Sequence, residues 1–226
     1  MTLQDKLDDF RIAFESGEPP YNISPDVVAL MHRATKELQE TGQANRTLKV
    51  GDRLPDFDLP DAEGRMVRSS ELLKDGPLVI SFYRGVWCPY CNMELDALQA
   101  ALGDIREKGA HLVSISPQTP TNSRKSARQN NVEFPILSDG ANTYARQLGL
   151  VFRLPEYLIE GAYKKLGAIL PTFNGDDSWE LPMPARFVAD TDGTIAYAEV
   201  NPDYTQRPDP SELLDVLDTL NRRRAA

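Results

Sequence analysis

The sequence predicts an α/β domain of three layers, a central mixed sheet flanked by helices, preceded by a helical arm. Three observations carry this reading. Between residues 78 and 148, apolar runs of strand length alternate with amphipathic stretches of helix length, the pattern of strands joined by crossover helices. The run Leu78-Val79-Ile80-Ser81-Phe82-Tyr83 is almost continuously apolar, as a strand covered on both faces requires. Arg186 to Ala189 and Thr194 to Val200 flank Asp192-Gly193, a strong hairpin signal that adds antiparallel strands to the sheet.

Residues 1–48 read as the arm. Leu3, Leu7, Phe10 and Phe14 fall on one helical face, and Pro19 and Pro20 then break the pattern. A second helix takes Ser24 as its N-cap and Pro25 at the first helical position, and it buries Val27, Met31, Ala34 and Leu38. Two readings of the arm stay open, packing on its own domain or a homodimer contact. The latter is the expectation, because both apolar stripes must be covered.

The main domain covers residues 49–226. It opens with a hairpin turning at Ala62 to Gly64. After the 78–83 strand comes a helix with Leu95, Leu98, Leu102 and Ile105 on one face, then a strand over His111 to Ser116. Residues 121–130 and 141–148 read as helices, with a short strand from Phe134 to Leu137 between them. Residues 151–182 fit no regular element well and read as an insertion with a short helix near Glu156 to Leu166. A last helix follows Ser211, with Leu213, Leu214, Leu217 and Leu220 apolar.

Charge narrows the function classes. The 226 residues carry 25 Lys and Arg against 34 Asp and Glu, a formal charge of -9. Such a surface is a poor match for phosphate backbones or anionic lipid, so no nucleic-acid or membrane partner is expected. No apolar run approaches the ~20 residues of a membrane span. The start, MTLQDKLDDF, places charges where a secretory leader is apolar, and the expected location is the cytoplasm.

The two cysteines of the chain, Cys88 and Cys91, lie in Trp87-Cys88-Pro89-Tyr90-Cys91, at the junction between the buried strand and the next helix. A helix N-terminus points unpaired N–H groups and partial positive charge at Cys88. This predicts a thiolate with a pKa below the ~8.5 of free cysteine. Pro89 suits the first turn, which needs no N–H there. Cys91 sits one turn on and faces back, so Cys88 is the candidate nucleophile and Cys91 the partner that attacks what forms on it. Arg84 is either a source of positive charge at the thiol or a solvated surface arginine. A zinc site needs two more ligands, and neither His32 nor His111 has ligand spacing. Neither histidine lies in a hydrolase motif. No metal or other cofactor is expected.

Val50-Gly51-Asp52, LPDFDLPDAEG, LVISFYRGVWCPYC, FPILSD and RFVADTDG, in this order, resemble the peroxiredoxins of the alkyl hydroperoxide reductase/thiol-specific antioxidant superfamily. The resemblance runs from about Leu48 to the C-terminus, less the insertion. It implies a thioredoxin-like fold and a thiol-dependent antioxidant oxidoreductase. Cys88 would reduce hydrogen peroxide or an organic hydroperoxide, Cys91 would resolve the product, and an external thiol or a thioredoxin- or glutaredoxin-type protein would regenerate the pair. The site departs from that family's pattern. Gly85 stands where a threonine or serine is usual, and Pro184 stands where an arginine is usual, with Arg186 two residues on. Arg84 and Arg186 are the candidates to replace the missing groups. Trp87-Cys88-Pro89-Tyr90-Cys91 is instead similar to the thioredoxin and glutaredoxin motif, and Pro184 resembles their cis-proline. This implies a cis Met183-Pro184 bond beside Cys88, with Trp87, Pro89, Tyr90, Met183 and Pro184 shaping the site. It also supports a second reading, a protein disulfide reductase with little peroxidase activity. A third is a redox-responsive binding module that uses the arm and the insertion as surfaces.

Overall fold

Two capped helices form the arm of the computed structural model, which describes residues 1–225. In α1 (Leu3–Glu15), Thr2 and Asp5 cap each other reciprocally. In α2 (Pro25–Glu40), the Ser24 hydroxyl accepts from Val27 N, with Pro25 in the first turn. A hairpin of β1 (Asp58–Pro60) and β2 (Met66–Arg68) then leads through α3 (Ser69–Asp75) to β3 (Leu78–Phe82). Two helices, α4 (Pro89–Ala100) and α5 (Leu102–Glu107), return the chain to β4 (His111–Ser116). Next come α6 (Pro120–Gln129), β5 (Ile136–Ser138) and α7 (Thr143–Gln147).

The insertion holds more regular structure than its sequence suggests. Strand β6 (Val151–Arg153) pairs antiparallel with β7 (Glu180–Pro182) and closes it at the base. Between them lie α8 (Glu156–Leu158), continued by a π-helical turn over Ile159–Tyr163, and α9 (Leu170–Asn174). Elements this short carry too few residues for a periodicity to show. The chain ends with β8 (Ala185–Ala189), β9 (Ile195–Val200) and α10 (Ser211–Ala225).

The central sheet has the order β5-β4-β3-β8-β9. Strands β3, β4 and β5 are parallel, and β8 and β9 are antiparallel to their neighbours. The sheet is therefore mixed, and β3 at its centre is wholly buried. Alternate residues of β3 serve two cores. Val79 packs with Leu95, Leu98 and Ile105 of α4 and α5, and with Leu213 and Leu217 of α10. Leu78, Ile80 and Phe82 pack on the other side with Leu73 of α3 and Tyr144 and Leu148 around α7. This gives the three layers.

The arm closes on its own chain. Leu3 and Leu7 of α1 are buried in the α4–α10 core, and the Phe10 ring meets the Tyr90 ring edge-on at 5.0 Å. Helix α2 lies on the insertion, so close that a Cβ on Gly161 would stand 2.3 Å from Leu30 Cδ1. This chain therefore supplies cover for part of the arm, Leu3 and Leu7 above all. Of the stripe predicted to be buried in α2, only Val27 is; Met31, Ala34 and Leu38 are half-buried.

The Met183-Pro184 bond is trans, contrary to the sequence expectation; the cis bond among the described residues is Pro19-Pro20. The reason lies in the strands on either side. Met183 N donates to Leu150 O at 2.9 Å, and Pro184 O accepts from Asn201 N at 3.2 Å. The chain is thus held extended from β7 into β8, a path that a trans bond follows.

Candidate active site

The site forms where β3 runs out. Tyr83 N still donates to Ile115 O at 3.0 Å, and the chain then turns through Arg84 to Trp87 into α4. Gly85 makes this turn with φ +150°. A Cβ there would lie 2.5 Å from Trp87 Nε1 and 2.9 Å from its Cδ1, so the indole occupies the space that a side chain at position 85 would need. Gln118 braces the loop. Its Oε1 accepts from Val86 N at 2.8 Å and its Nε2 donates to the Tyr83 hydroxyl at 3.0 Å. Asn92 Nδ2 adds a bond to Val86 O at 2.9 Å. Cys88 is the N-cap residue of α4, Pro89 opens the helix, and Cys91 follows in the first turn.

Both cysteines are free thiols and both are 0% exposed. Burial penalises a thiolate, yet Cys88 falls from the ordinary 9.0 to about 5. The hydrogen bond from the Cys91 thiol and the guanidinium charges of Arg84 and Arg207 outweigh the burial. Burial, together with that hydrogen bond and the Cys88 charge, pushes Cys91 well above the ordinary value. The pair thus separates into one thiolate and one thiol. Arg84 supplies the closest cation: its Nη2 donates to Cys88 Sγ at 3.1 Å. Arg207 Nη2 stands 4.0 Å from Cys91 Sγ.

Aromatic rings fix Arg84. Its guanidinium carbon lies 3.8 Å from the centre of the Tyr204 ring and 5.2 Å from Trp87, and its Nη1 donates to the Tyr163 hydroxyl at 3.0 Å. Stacking of this kind suits a planar, weakly hydrated cation. Two buried donors of the loop from Arg84 to Trp87, Arg84 Nε and Trp87 Nε1, have no acceptor among the described residues. A cavity of about 180 Å³ touches Cys88; Trp87, Pro89 and Tyr90 line it, with Phe10 and Phe14 of the arm and Leu166 of the insertion.

Arg84 is thus at the thiol rather than on the surface, and Trp87, Pro89 and Tyr90 surround it. Three other candidates lie elsewhere. Met183 and Pro184 are buried but do not line the cavity. Arg186 Nε donates to Glu94 Oε1 at 2.9 Å beneath the site, and its Nη1 and Nη2 are buried without a partner among the described residues. Glu94 also accepts from Arg207 Nε at 2.5 Å and from the Ser81 hydroxyl at 3.3 Å. Burial pushes Glu94 up, but Arg207 and Arg186 hold it below the ordinary carboxylate value. Sequence reasoning missed Glu94, Tyr163, Tyr204 and Arg207. Glu94 left a signal: a carboxylate three residues after Cys91, on the apolar face of α4. The others come from the insertion and the 201–210 turn, which have no periodicity to read.

Residues 50–198 match the AhpC/TSA family. A putative peroxiredoxin of Mycobacterium tuberculosis is 36% identical over 103 residues, which span 46% of this chain and 67% of that protein. The peroxiredoxin Bcp of Escherichia coli is 28% identical over 103 residues, 46% of this chain and 65% of its own. The crystal structure of peroxidoxin BcpB from Mycobacterium tuberculosis is similar with a TM-score of 0.60 and 27% identity, over 76% of this chain and 97% of its own.

Proposed function

The chain belongs to the AhpC/TSA family, and on that premise we propose how its two cysteines divide the work of a thiol peroxidase. The chain is a peroxiredoxin-like oxidoreductase with a thioredoxin-like fold. The observation that carries the division is Arg84 Nη2, 3.1 Å from a Cys88 sulfur held at about 5 beside a thiol held high. The Cys88 thiolate attacks one peroxide oxygen. An S–O bond forms, the O–O bond breaks, and the departing oxygen takes a proton and leaves as water or an alcohol. Sulfur gives up two electrons and becomes a sulfenic acid. Cys91 then attacks that sulfur; an S–S bond forms, the S–O bond breaks, and water leaves. An external thiol, of thioredoxin or glutaredoxin type or of low molecular weight, returns two electrons and restores both thiols.

Arg84 stabilises the thiolate first and the developing oxygen charge second. A fixed cationic donor at the reacting sulfur, as Arg84 Nη2 is, is commonly worth ~10²–10³ in rate. The protein disulfide reductase reading draws less support. The cis-proline that the resemblance to thioredoxin and glutaredoxin implied is absent, because the Met183-Pro184 bond is trans. No helix among the described residues is long and apolar enough to cross a membrane, and a dithiol that works reduced suits the cytoplasm.

Stopped-flow fluorescence of the reduced protein tests the assignment, since Trp87 adjoins Cys88. Hydrogen peroxide is expected to give two phases, oxidation and then disulfide closure. Cys88→Ser should be silent, and Cys91→Ser should keep the first phase and accumulate a sulfenic acid that dimedone traps. Retained turnover in Cys88→Ser, or a first phase lost in Cys91→Ser, would invert the roles.

A further inference from the structure

Each sulfur faces its own arginine. Arg84 Nη2 is spent on Cys88, and its Nη1 on the Tyr163 hydroxyl. Arg207 Nη2 has Cys91 Sγ, at 4.0 Å, as its partner among the described residues. The rest of Arg207 is fixed around that contact. Its Nε donates to Glu94 Oε2 at 2.5 Å, and its Nη1 to the carbonyls of Tyr204 and Gln206, both at 2.7 Å. Its backbone N–H donates to Gln4 Oε1 at 2.9 Å, so helix α1 of the arm pins the turn that carries it. A buried cation needs a reason to be there, since holding it away from water is unfavourable unless it is paired. Glu94 does not supply the whole reason, because Arg186 already pairs with the same carboxylate. The cluster therefore carries one positive charge beyond its own balance, and that charge is aimed at Cys91.

We propose that Arg207 readies Cys91 for the second step, making the buried thiol a nucleophile once Cys88 has been oxidised. The inference rests on the reading of Cys91 as the partner that closes the disulfide. While Cys88 is a thiolate, its charge and the hydrogen bond it accepts hold the proton on Cys91. Conversion to a neutral sulfenic acid removes that charge. Burial still opposes ionisation, but the influences left on Cys91 from outside are then the cations Arg84 and Arg207. The hydroxyls of Tyr83 and Tyr163 stay protonated, because burial raises both, and Glu94 is neutralised by its two arginines. Cys91 thus becomes easier to ionise at the moment when there is something for it to attack. Its electron pair forms the S–S bond, the S–O bond of Cys88 breaks, and the departing oxygen takes a proton in place of the one Cys91 gave up and leaves as water.

Stopped-flow traces of the reduced full chain with hydrogen peroxide, recorded from about pH 4 to about pH 10, test this through the midpoints of the two phases. Arg207→Gln leaves Glu94 paired with Arg186, and circular dichroism reports that it folds. Its second phase should move to a midpoint about one unit higher or more, and slow about threefold or more at neutral pH, since lost thiolate outweighs gained nucleophilicity. Arg84→Gln should move the first midpoint most and Arg207→Gln the second, a crossover that a merely loosened fold does not produce. Arg207→Lys keeps a cation beside Glu94 but withdraws the guanidinium nitrogen from Cys91. It should move the second midpoint in the same direction by less, and it carries the test alone if Arg207→Gln does not fold. A second midpoint that stays in place in a folded variant, or that moves less than the first, overturns the inference alone. If the second phase persists in Cys91→Ser, the reading of Cys91 itself fails and the inference falls with it.

Discussion

A wholly buried thiol ordinarily keeps its proton, so the state of Cys88 has to be explained by its neighbours. Two cations and a donated hydrogen bond from Cys91 overcome the desolvation. The folded value, about 5, lies below the ordinary 9.0, so the thiolate persists down to mildly acidic pH. The stability that its charge contributes is complete above the ordinary value and is lost as pH falls through about 5. The rate of Cys88 alkylation by iodoacetamide should follow the same curve, flat above about pH 6 and falling through about 5. Cys91→Ala removes the donated bond and should move the midpoint upward; an unmoved midpoint would leave the arginines as the whole cause. Gly85 is a second residue whose chemistry is steric. Gly85→Thr puts back a hydroxyl, but at the cost of the Trp87 position. The expected result is a slower reaction with peroxide and a loss of about 1–3 kcal/mol in urea unfolding, and a faster reaction would show that the indole moves aside freely.

At the scale of elements, the strand-to-helix junction sets the redox poise. A helix that begins at Cys88 and two arginines beneath it all stabilise the reduced, ionised form. Stabilising that form makes the disulfide the stronger oxidant, as the Pro89-Tyr90 pair also suggests. Equilibration against glutathione should give a potential above thioredoxin's, about −270 mV, and a lower value would mean that the fold stabilises the disulfide more than the thiolate. The same junction shows what the sequence made legible. Strand β4 has the predicted ends, and β3 falls one residue short of them, because continuous apolar runs leave no other place for a central strand. Cys88, Pro89 and Cys91 could be read because their geometry is local, set by one helical turn. The cage around Arg84 could not. Tyr163 lies 79 residues away and Tyr204 in an irregular turn, and only the closed fold brings them together. The trans Met183-Pro184 bond shows the limit of analogy. The dithiol motif suggested a cis bond, while the strand hydrogen bonds at Leu150 and Asn201 called for the extended path.

Over the whole molecule, the arm belongs to the core. Leu7 is 0% exposed and packs with α4 and α10. Leu7→Ala should therefore lower global stability by about 2–5 kcal/mol, seen as a shifted midpoint of one cooperative transition in urea. A separate early transition, with the main midpoint unmoved, would mark the arm as an independent unit. A shared transition also ties the wall of the Cys88 cavity to the folding of the domain, since Phe10, Phe14 and Met31 come from the arm.

On the proposed roles of Cys88 and Cys91, the contact between the two sulfurs sets the outcome of a race. Once Cys88 carries a sulfenic acid, a second peroxide can carry it irreversibly to the sulfinic acid, or Cys91 can close the disulfide first. The second peroxide must diffuse into a site shut off from solvent, at whatever concentration the cell holds. Cys91 is already there, one helical turn away in the first turn of the same helix, and well-aligned intramolecular partners act as though present at up to ~10⁵–10⁸ M. The price is a high proton affinity at Cys91, which slows its attack. Even so, the local advantage exceeds any bulk concentration of oxidant by orders of magnitude. Inactivation per turnover by the second oxidation should therefore stay low under heavy oxidant load, endurance that follows from the spacing of the two sulfurs along one helix.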